Sequence, residues 1–500
     1  MARFVGIAAI SVSAHVAALD FDIQTIELSP KHSFDIVPFA SANSNLVQLL
    51  VVETPETNQL ERQRLGESAE PIRRIKLFQQ KDALWSLGLE LALDESMDLI
   101  DITTGPQGNQ LVGLQGSQLV YLDEKTSAFK PLLDTPSMFT GRHWGSSPLM
   151  EMFADVNGDG LDDFLMPTFA GWAVALQTEV GYQTSQLVGP RPSMSFRDNA
   201  RYVAYRAEEA FFIDENNDGL NDIAFWQDGY FKVYRQSALG EFSKVPVKLD
   251  PHLRDMLGGY AQITLGEDAK NDNGKNRLLD EVVDINNDGV VDLIVKNIKA
   301  EGIFGWESEI EVYLGEISDG ERLAFDKNPS STIRTEGFQF DNERLDISGD
   351  GNQEFLVTSV DISIGAVIRA LIARSVSVDV SIYKMDDGQF PAKPSIRKSI
   401  SARFDFGSGD LFVPAVLGAD VTGDGHKDLL VQKGEGSLLV YPGEQGKKIF
   451  AKKPIKLSLA LPASRTKFLV SDLDQDGRDE LVLTHDSDKG SAISVVSFKD

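Results

Sequence analysis

Six copies of one nine-residue pattern, Asp-x-[Asn/Asp/Ser/Thr]-x-Asp-Gly-x-x-[Asp/Glu], run through the chain and set oxygen ligands at alternate positions. Position one is Asp155, Asp214, Asp284, Asp346, Asp420 and Asp472. Position three is Asn157, Asn216, Asn286, Ser348, Thr422 and Asp474, and position five is Asp159, Asp218, Asp288, Asp350, Asp424 and Asp476. Asp163, Asp222, Asp292, Glu354, Asp428 and Glu480 close the copies at position nine. Such spacing suits a hard cation, since calcium takes roughly six to eight oxygens at about 2.3–2.6 Å in a flexible shell.

Gly160, Gly219, Gly289, Gly351, Gly425 and Gly477 hold position six, where the chain must turn sharply and a Cβ is expected to obstruct. Position seven would lend only its backbone carbonyl, so its side chain can vary, and it does: Leu161, Leu220, Val290, Asn352, His426 and Arg478. His426 is expected to be exposed. Turn chemistry alone favours Asp, Asn and Gly, but does not require an acid at positions one, five and nine together. The 19 carboxylates at ligand positions would repel one another within each cluster if left bare. Up to six calcium ions are therefore expected. The copy with Asp474 at position three should bind most tightly, and those with Ser348 and Thr422 less so.

The flanking residues say what must position these acids. An EF-hand closes with a bidentate Glu at position twelve between helices. Position twelve here is Met166, Phe225, Val295, Val357, Val431 or Leu483, and short apolar runs of strand type flank each copy. The acidic loop is therefore expected to join two antiparallel strands. First positions of consecutive copies lie 59, 70, 62, 74 and 52 residues apart, which makes each loop part of one repeated unit. Third strands follow at Gly229–Arg235, Glu309–Leu314, Ser437–Tyr441 and Ala492–Phe498. Four-stranded units of about 40–60 residues with almost no helical period point to an all-β fold, a β-propeller of antiparallel blades.

Residues 150–500 supply six such blades with loops, and residues 19–149 two degenerate, metal-free ones. In the second of these, Asp101 and Thr103 could stand at positions one and three, with Gly105 and Asn109 in place of the missing acids. Eight blades are favoured; seven with residues 19–95 as an N-terminal cap is the alternative. The last unit lacks a fourth strand, which Phe21–Glu27 could supply, closing the ring and removing its exposed edges. Two insertions interrupt the rhythm. Residues 251–279 read as a polar surface loop, and residues 362–374 as a short helix that packs on the rim or docks a partner.

Charge and composition narrow the function classes. The chain has 500 residues, no Cys and a formal charge of −28, which six divalent ions would bring to −16. That balance, with no basic patch evident, argues against nucleic acid. Residues 1–18 read as a secretory signal peptide, with Arg3 before an apolar stretch too short to span a bilayer and Val16-Ala17-Ala18 as a cleavage site. No later segment reaches transmembrane length. Export to a bacterial periplasm or cell surface and weak, extracellular-type calcium sites support each other.

The six loops between strands, with this N-terminus, resemble FG-GAP/VCBS repeat proteins, a group that includes the calcium-bearing propeller of integrin α chains and many exported bacterial proteins. The resemblance implies a calcium-stabilised propeller whose ions sit in the hairpins between the first two strands of a blade. It covers residues 150–500 firmly. Phe406-Gly407 precedes one loop, but no Gly-Ala-Pro occurs, so an integrin-like ligand role does not carry over. No His-Glu-x-x-His, Gly-x-Ser-x-Gly or phosphate loop is present. The favoured reading is a non-catalytic protein- or glycan-binding module. The alternative is a carbohydrate-active enzyme such as a polysaccharide lyase. Arg142, His143 and Trp144 form one local cluster with sugar-recognition chemistry.

Overall fold

The computed structural model describes residues 19–29, 32–40, 47–55, 73–81, 84–94, 96–139, 147–197, 202–253, 256, 275–301, 305–360, 375–386, 388–404, 411–412, 414–444, 449–463, 465–487 and 490–499. Arg142, His143 and Trp144, the signal segment 1–18 and the helix expected at 362–374 lie outside these residues.

Eight antiparallel sheets of four or five strands follow one another along the chain, with three two-stranded hairpins beside them. Blade 1 comprises His32–Phe39, Gln48–Pro55, Arg74–Lys81 and Leu84–Ala92, and blade 2 comprises Met97–Gly105, Gly108–Gln115, Gln118–Asp123 and Ala128–Asp134. Blade 3 is Phe153–Ala154, Asp163–Thr168, Gly171–Ala175 and Gln186–Val188; blade 4 is Phe211–Ile213, Asp222–Gln227, Tyr230–Tyr234 and Val247–Leu249. Blade 5 is Lys275–Val283, Asp292–Glu301, Gly305–Tyr313 and Ser331–Glu336. Blade 6 is Phe338–Leu345, Glu354–Val360, Ser375–Tyr383 and Ile396–Phe404, with a fifth short strand, Leu411–Phe412. Blade 7 is Val416–Ala419, Asp428–Gln432, Leu438–Tyr441 and Ile455–Leu457. Blade 8 is Phe468–Ser471, Glu480–Ser487 and Gly490–Lys499, completed by Asp20–Glu27.

The second strand of each blade shows why the sheets stack as they do. Successive side chains of a strand point to opposite faces, and here both faces are covered by a neighbouring blade. In blade 1, Leu49 and Val51 pack with Leu473 and Val482 of blade 8, whereas Leu50 and Val52 pack with Met97 and Leu111 of blade 2. Blade 4 repeats the alternation, with Ile223 and Phe225 against blade 3 and Ala224 and Trp226 against blade 5. Apolar clusters of this kind occupy all eight junctions between consecutive blades, including the one that joins blade 8 to blade 1. The sheets therefore close into an eight-bladed propeller. A seven-bladed ring with residues 19–95 as a cap is overturned, because residues 32–92 are themselves a blade wedged between two others.

Ring closure uses the expected N-terminal strand. Asp20–Glu27 pairs antiparallel with Ala492–Lys499, from Asp20 opposite Lys499 to Glu27 opposite Ala492. Beyond it, Ser29 donates its hydroxyl to Glu53 of blade 1 at 2.9 Å, and Lys76 donates to the same buried carboxylate at 2.7 Å. Burial pushes Glu53 up, but the bonds from Lys76 and Ser29 outweigh it and hold the group below the usual carboxylate range.

Two details differ from the sequence reading. Lys275–Leu279 already belongs to the first strand of blade 5, so the insertion expected over 251–279 ends earlier. Asp101 and Thr103 are strand residues opposite Val112 and Gln110, not loop residues, and the blade 2 hairpin turns through Pro106-Gln107 alone.

Candidate metal centre

Each acidic loop connects the first and second strands of its blade, and its position-nine acid is the first residue of the second strand. In blade 3, for instance, Ala154 pairs with Asp163 and the loop spans the gap between them. Position twelve, the closing position of an EF-hand, is buried core in all six loops.

Positions four and six both adopt left-handed backbone. Position four has φ of 74° at Gly158, 53° at Asn217, 56° at Asn287, 68° at Gly349, 73° at Gly423 and 61° at Gln475. Position six has φ between 84° and 90°, as at Gly219 and Gly477. The expectation that a Cβ would be obstructed at position six is corrected: added at Gly160, Gly219, Gly289, Gly425 or Gly477, it would meet nothing within 4 Å. Backbone conformation, not crowding, demands glycine there.

The winding turns loop amides onto the acids. In blade 3, Gly160 N–H donates to Asp155 Oδ2 at 2.9 Å, and Leu161 N–H donates to Asp159 Oδ1 at 2.9 Å. The same two bonds recur in the other five loops. Position nine is fixed from the core side. Asp163 accepts Val156 N–H at 3.0 Å and Gln177 N–H at 2.7 Å, and Asp222, Asp292 and Asp428 are held in the same way.

These position-nine acids are fully buried, apart from Glu480 at 2% exposure. Burial first, and the acids at positions five and one second, push Asp163 up to about 7, and Asp222 and Asp292 to about 6. Asp428 is raised to about 6 by burial and the charge of Asp420, and Glu480 to about 8 by burial and the charges of Asp474, Asp476 and Asp472. Clustered like charge in a desolvated site is what a bound cation would neutralise.

The donor set fits such an ion. Asp472, Asp474 and Asp476 bring carboxylate oxygens within 4.8 Å of one another, the one group of three acids or His so placed among the described residues. Asn216 Oδ1, at position three of the blade 4 loop, is buried without a hydrogen-bond partner, while its amide nitrogen donates to Asp218 at 2.7 Å. Ser348 and Thr422 instead turn their hydroxyls onto position nine, donating to Glu354 at 2.9 Å and to Asp428 at 3.2 Å. That leaves these two loops poorer in free oxygen ligands.

Three features of the loops carry no obvious signature in the pattern. Position two plugs each loop into the cluster shared with the following blade: Val156, Ile285, Ile347, Val421 and Leu473 are buried there. Blade 4 has Glu215 instead, wholly buried and gripped by Arg235 at 2.8 Å and by Arg322 of blade 5 at 2.9 Å. The odd residue in an apolar column was the signal available for it. In two loops position eight clasps the preceding blade. Asp479 donates its N–H to Asp420 O at 2.7 Å and accepts Asp420 N–H at 2.6 Å, and Lys427 Nζ donates to the same Asp479 oxygen at 2.6 Å. Asp162 makes the equivalent pair of bonds with Thr104 of blade 2. His426, expected to be exposed, is half-buried against Gly349 of the blade 6 loop and Gly443, with Nδ1 enclosed.

Strand polarity puts the first and third turns of every blade on one face of the ring. On that face a groove of about 660 Å³ lies between the blade 2 turns at 105–108 and 123–125 and the blade 3 hairpin at 177–181, lined by Asn109, Tyr121, Lys125 and Thr178 among others. No described helix is long and apolar enough to cross a membrane.

No protein-family model matches the chain, and no curated protein matches it. Solved structures to which it is similar include Sqt1 from Chaetomium thermophilum, 12% identical over 97% of this chain and 100% of that one, with a TM-score of 0.41. The WD40 domain of SCAP from fission yeast is 10% identical over 95% of this chain and 98% of that one, with a TM-score of 0.34. The eight-bladed assignment rests on the sheets and junctions of the chain itself.

Proposed function

We propose that the chain is an exported propeller of the FG-GAP/VCBS type, held together by calcium at its acidic hairpins and acting as a non-catalytic protein- or glycan-binding module. One observation carries the metal reading. Buried carboxylates at position nine face acids at positions one and five in hairpins repeated around a closed ring, an arrangement that is costly without a counter-ion. Side chains at positions one, three, five and nine and the backbone carbonyl of position seven would hold the ion. Calcium, when bound, would supply only charge neutralisation and cross-linking of the loop.

The binding reading is supported by the absence of the sequence motifs of hydrolases, metalloproteases and nucleotide-binding enzymes. It is also supported by the groove beside the blade 2 turns, whose amide, hydroxyl and phenol groups suit a polar ligand. Loops carried on a rigid scaffold are where such recognition concentrates.

Two measurements test the reading. Elemental analysis of protein equilibrated with calcium should find several bound ions per chain; none would end the metal reading. Glycan-array and pull-down binding should weaken after chelation and with Tyr121→Ala. Turnover of a uronate polysaccharide would move the assignment to the lyase class.

A further inference from the structure

The six hairpins are not equivalent, and the difference lies in one side chain just past the third strand. Residue pairing between second and third strands brings the residue after the third strand beside position nine. Phe164 pairs with Ala175, Ile223 with Tyr234, Leu293 with Tyr313, Phe355 with Tyr383 and Leu429 with Tyr441. The next residue is then Leu176, Arg235, Leu314, Lys384 or Pro442, and in blade 8, where Leu481 pairs with Val496, it is Ser497 within the third strand. Two of these are cations. Arg235 turns away to Glu215 at position two of its own loop. Lys384 turns inward: its Nζ lies 2.9 Å from Asp350 Oδ2 at position five and 4.0 Å from Glu354 Oε1 at position nine.

The bonds around position nine in the blade 6 loop recur around Asp428 in blade 7, so the ammonium is what sets this loop apart. Ser348, at position three, donates its hydroxyl to Glu354 Oε1 at 2.9 Å instead of offering a free acceptor. Glu354 Oε2 takes the N–H groups of Ile347 at 2.7 Å and Ser348 at 3.2 Å. Among the groups acting on Glu354 is the positive charge of Lys384, whereas the charges raising Asp163, Asp222, Asp292, Asp428 and Glu480 are other acids of their own loops. A cation tethered to the chain pays no association entropy, and a divalent ion would have to displace it against like charge.

We propose that Lys384 takes the place of the metal in the Asp346–Glu354 hairpin, so that this loop is closed by an internal ammonium while the other five bind calcium. The inference rests on the calcium reading above and assigns the stoichiometry within it.

The experiment counts calcium by isothermal titration and by equilibrium dialysis with elemental analysis, on the full chain and on Lys384→Met. The expected result is five ions per chain, rising by one in Lys384→Met, with Lys384→Arg unchanged from the parent. Six ions in the parent, or no gain in Lys384→Met, overturns the proposal while leaving the calcium reading intact. No calcium on any chain overturns the reading itself. Should Lys384→Met fail to fold, Lys384→Gln serves, together with hydrogen exchange on the parent. On chelation the amides of Asp346–Glu354 should keep their exchange rates while those of Asp472–Glu480 speed up. Equal acceleration in the two loops overturns the proposal.

Discussion

Blade 2 and blade 3 build the same first hairpin in opposite ways. In blade 2 the strands Met97–Gly105 and Gly108–Gln115 run to a two-residue turn and pair through eight residue pairs. In blade 3 the first strand is two residues long, two residue pairs join it to the second, and the eight residues 155–162 of the acidic loop fill the rest. One hairpin stands on its own backbone ladder, while the other replaces ladder with a loop of clustered acids. Blades 4, 7 and 8 also have first strands of three or four residues, whereas blades 5 and 6 keep nine and eight. Local stability around the ring is therefore expected to depend unequally on bound cations.

Cation removal should have the largest effect. Chelation is expected to lower the calorimetric unfolding midpoint by about 10 °C, because ions that bind only the native form stabilise it by mass action. Hydrogen exchange should rise over 153–168 and stay low over 97–115. Equal exchange in the two hairpins would break the contrast.

Next comes the charged plug of the blade 4 loop. Arg235→Met combined with Arg322→Met leaves Glu215 buried without a counter-charge and should cost about 3 kcal/mol in denaturant unfolding. Adding Glu215→Ile, which restores the apolar residue found at position two elsewhere, should recover most of it. No recovery would mean that the arginines act through other contacts.

Acidity should separate the hairpins in a third way. In metal-stripped protein, Asp163 near 7, Glu480 near 8 and Asp222, Asp292 and Asp428 near 6 all lie above the ordinary carboxylate value of about 4. Folding then favours the protonated form. The stabilisation is complete below about pH 4 and is lost as pH rises through about 6 to 8. The melting temperature of stripped protein should therefore fall between about pH 5 and pH 8, and calcium should abolish the fall. Asp163→Asn should flatten part of the slope without metal and destabilise the calcium-loaded protein. A slope of opposite sign would show that these acids are not raised in the stripped state.

Backbone effects should be smaller. Gly477→Ala, at φ 90° with open space around it, should cost about 1–2 kcal/mol from conformation alone. Smallest of all, Pro106→Ala in the blade 2 turn should cost about 0.5 kcal/mol, through the unfolded chain. A larger loss there than at Gly477 would reverse the ranking of the two hairpins.

Much of this was legible in the amino-acid order because the pattern repeats in frame. The six loops sit between strands as their flanks required, and the strand expected at Phe21–Glu27 pairs with the third strand of blade 8. What stayed hidden depends on register. Lys384 lies thirty positions beyond Glu354, and only the pairing of Phe355 with Tyr383 puts the two side by side. Asp479 sits at a variable position of an acidic loop, yet it bonds to a different blade. Asp101 and Thr103 misled because an Asp-x-Thr spacing suits a strand as well as a loop, and the ladder to Val112 and Gln110 decided between them.

The paired ends of blade 8 also set a clock on biogenesis. Asp22 and Lys499, joined across that sheet, are 477 residues apart in the chain. At translation rates of about 5–20 residues per second, the early strand waits roughly half a minute to a minute and a half for its partner. Until then blades 8 and 1 cannot share their cluster, and the unfinished arc leaves uncovered the apolar blade face that carries Leu49 and Val51. A chain built this way has reason to meet a chaperone before its last blade is made.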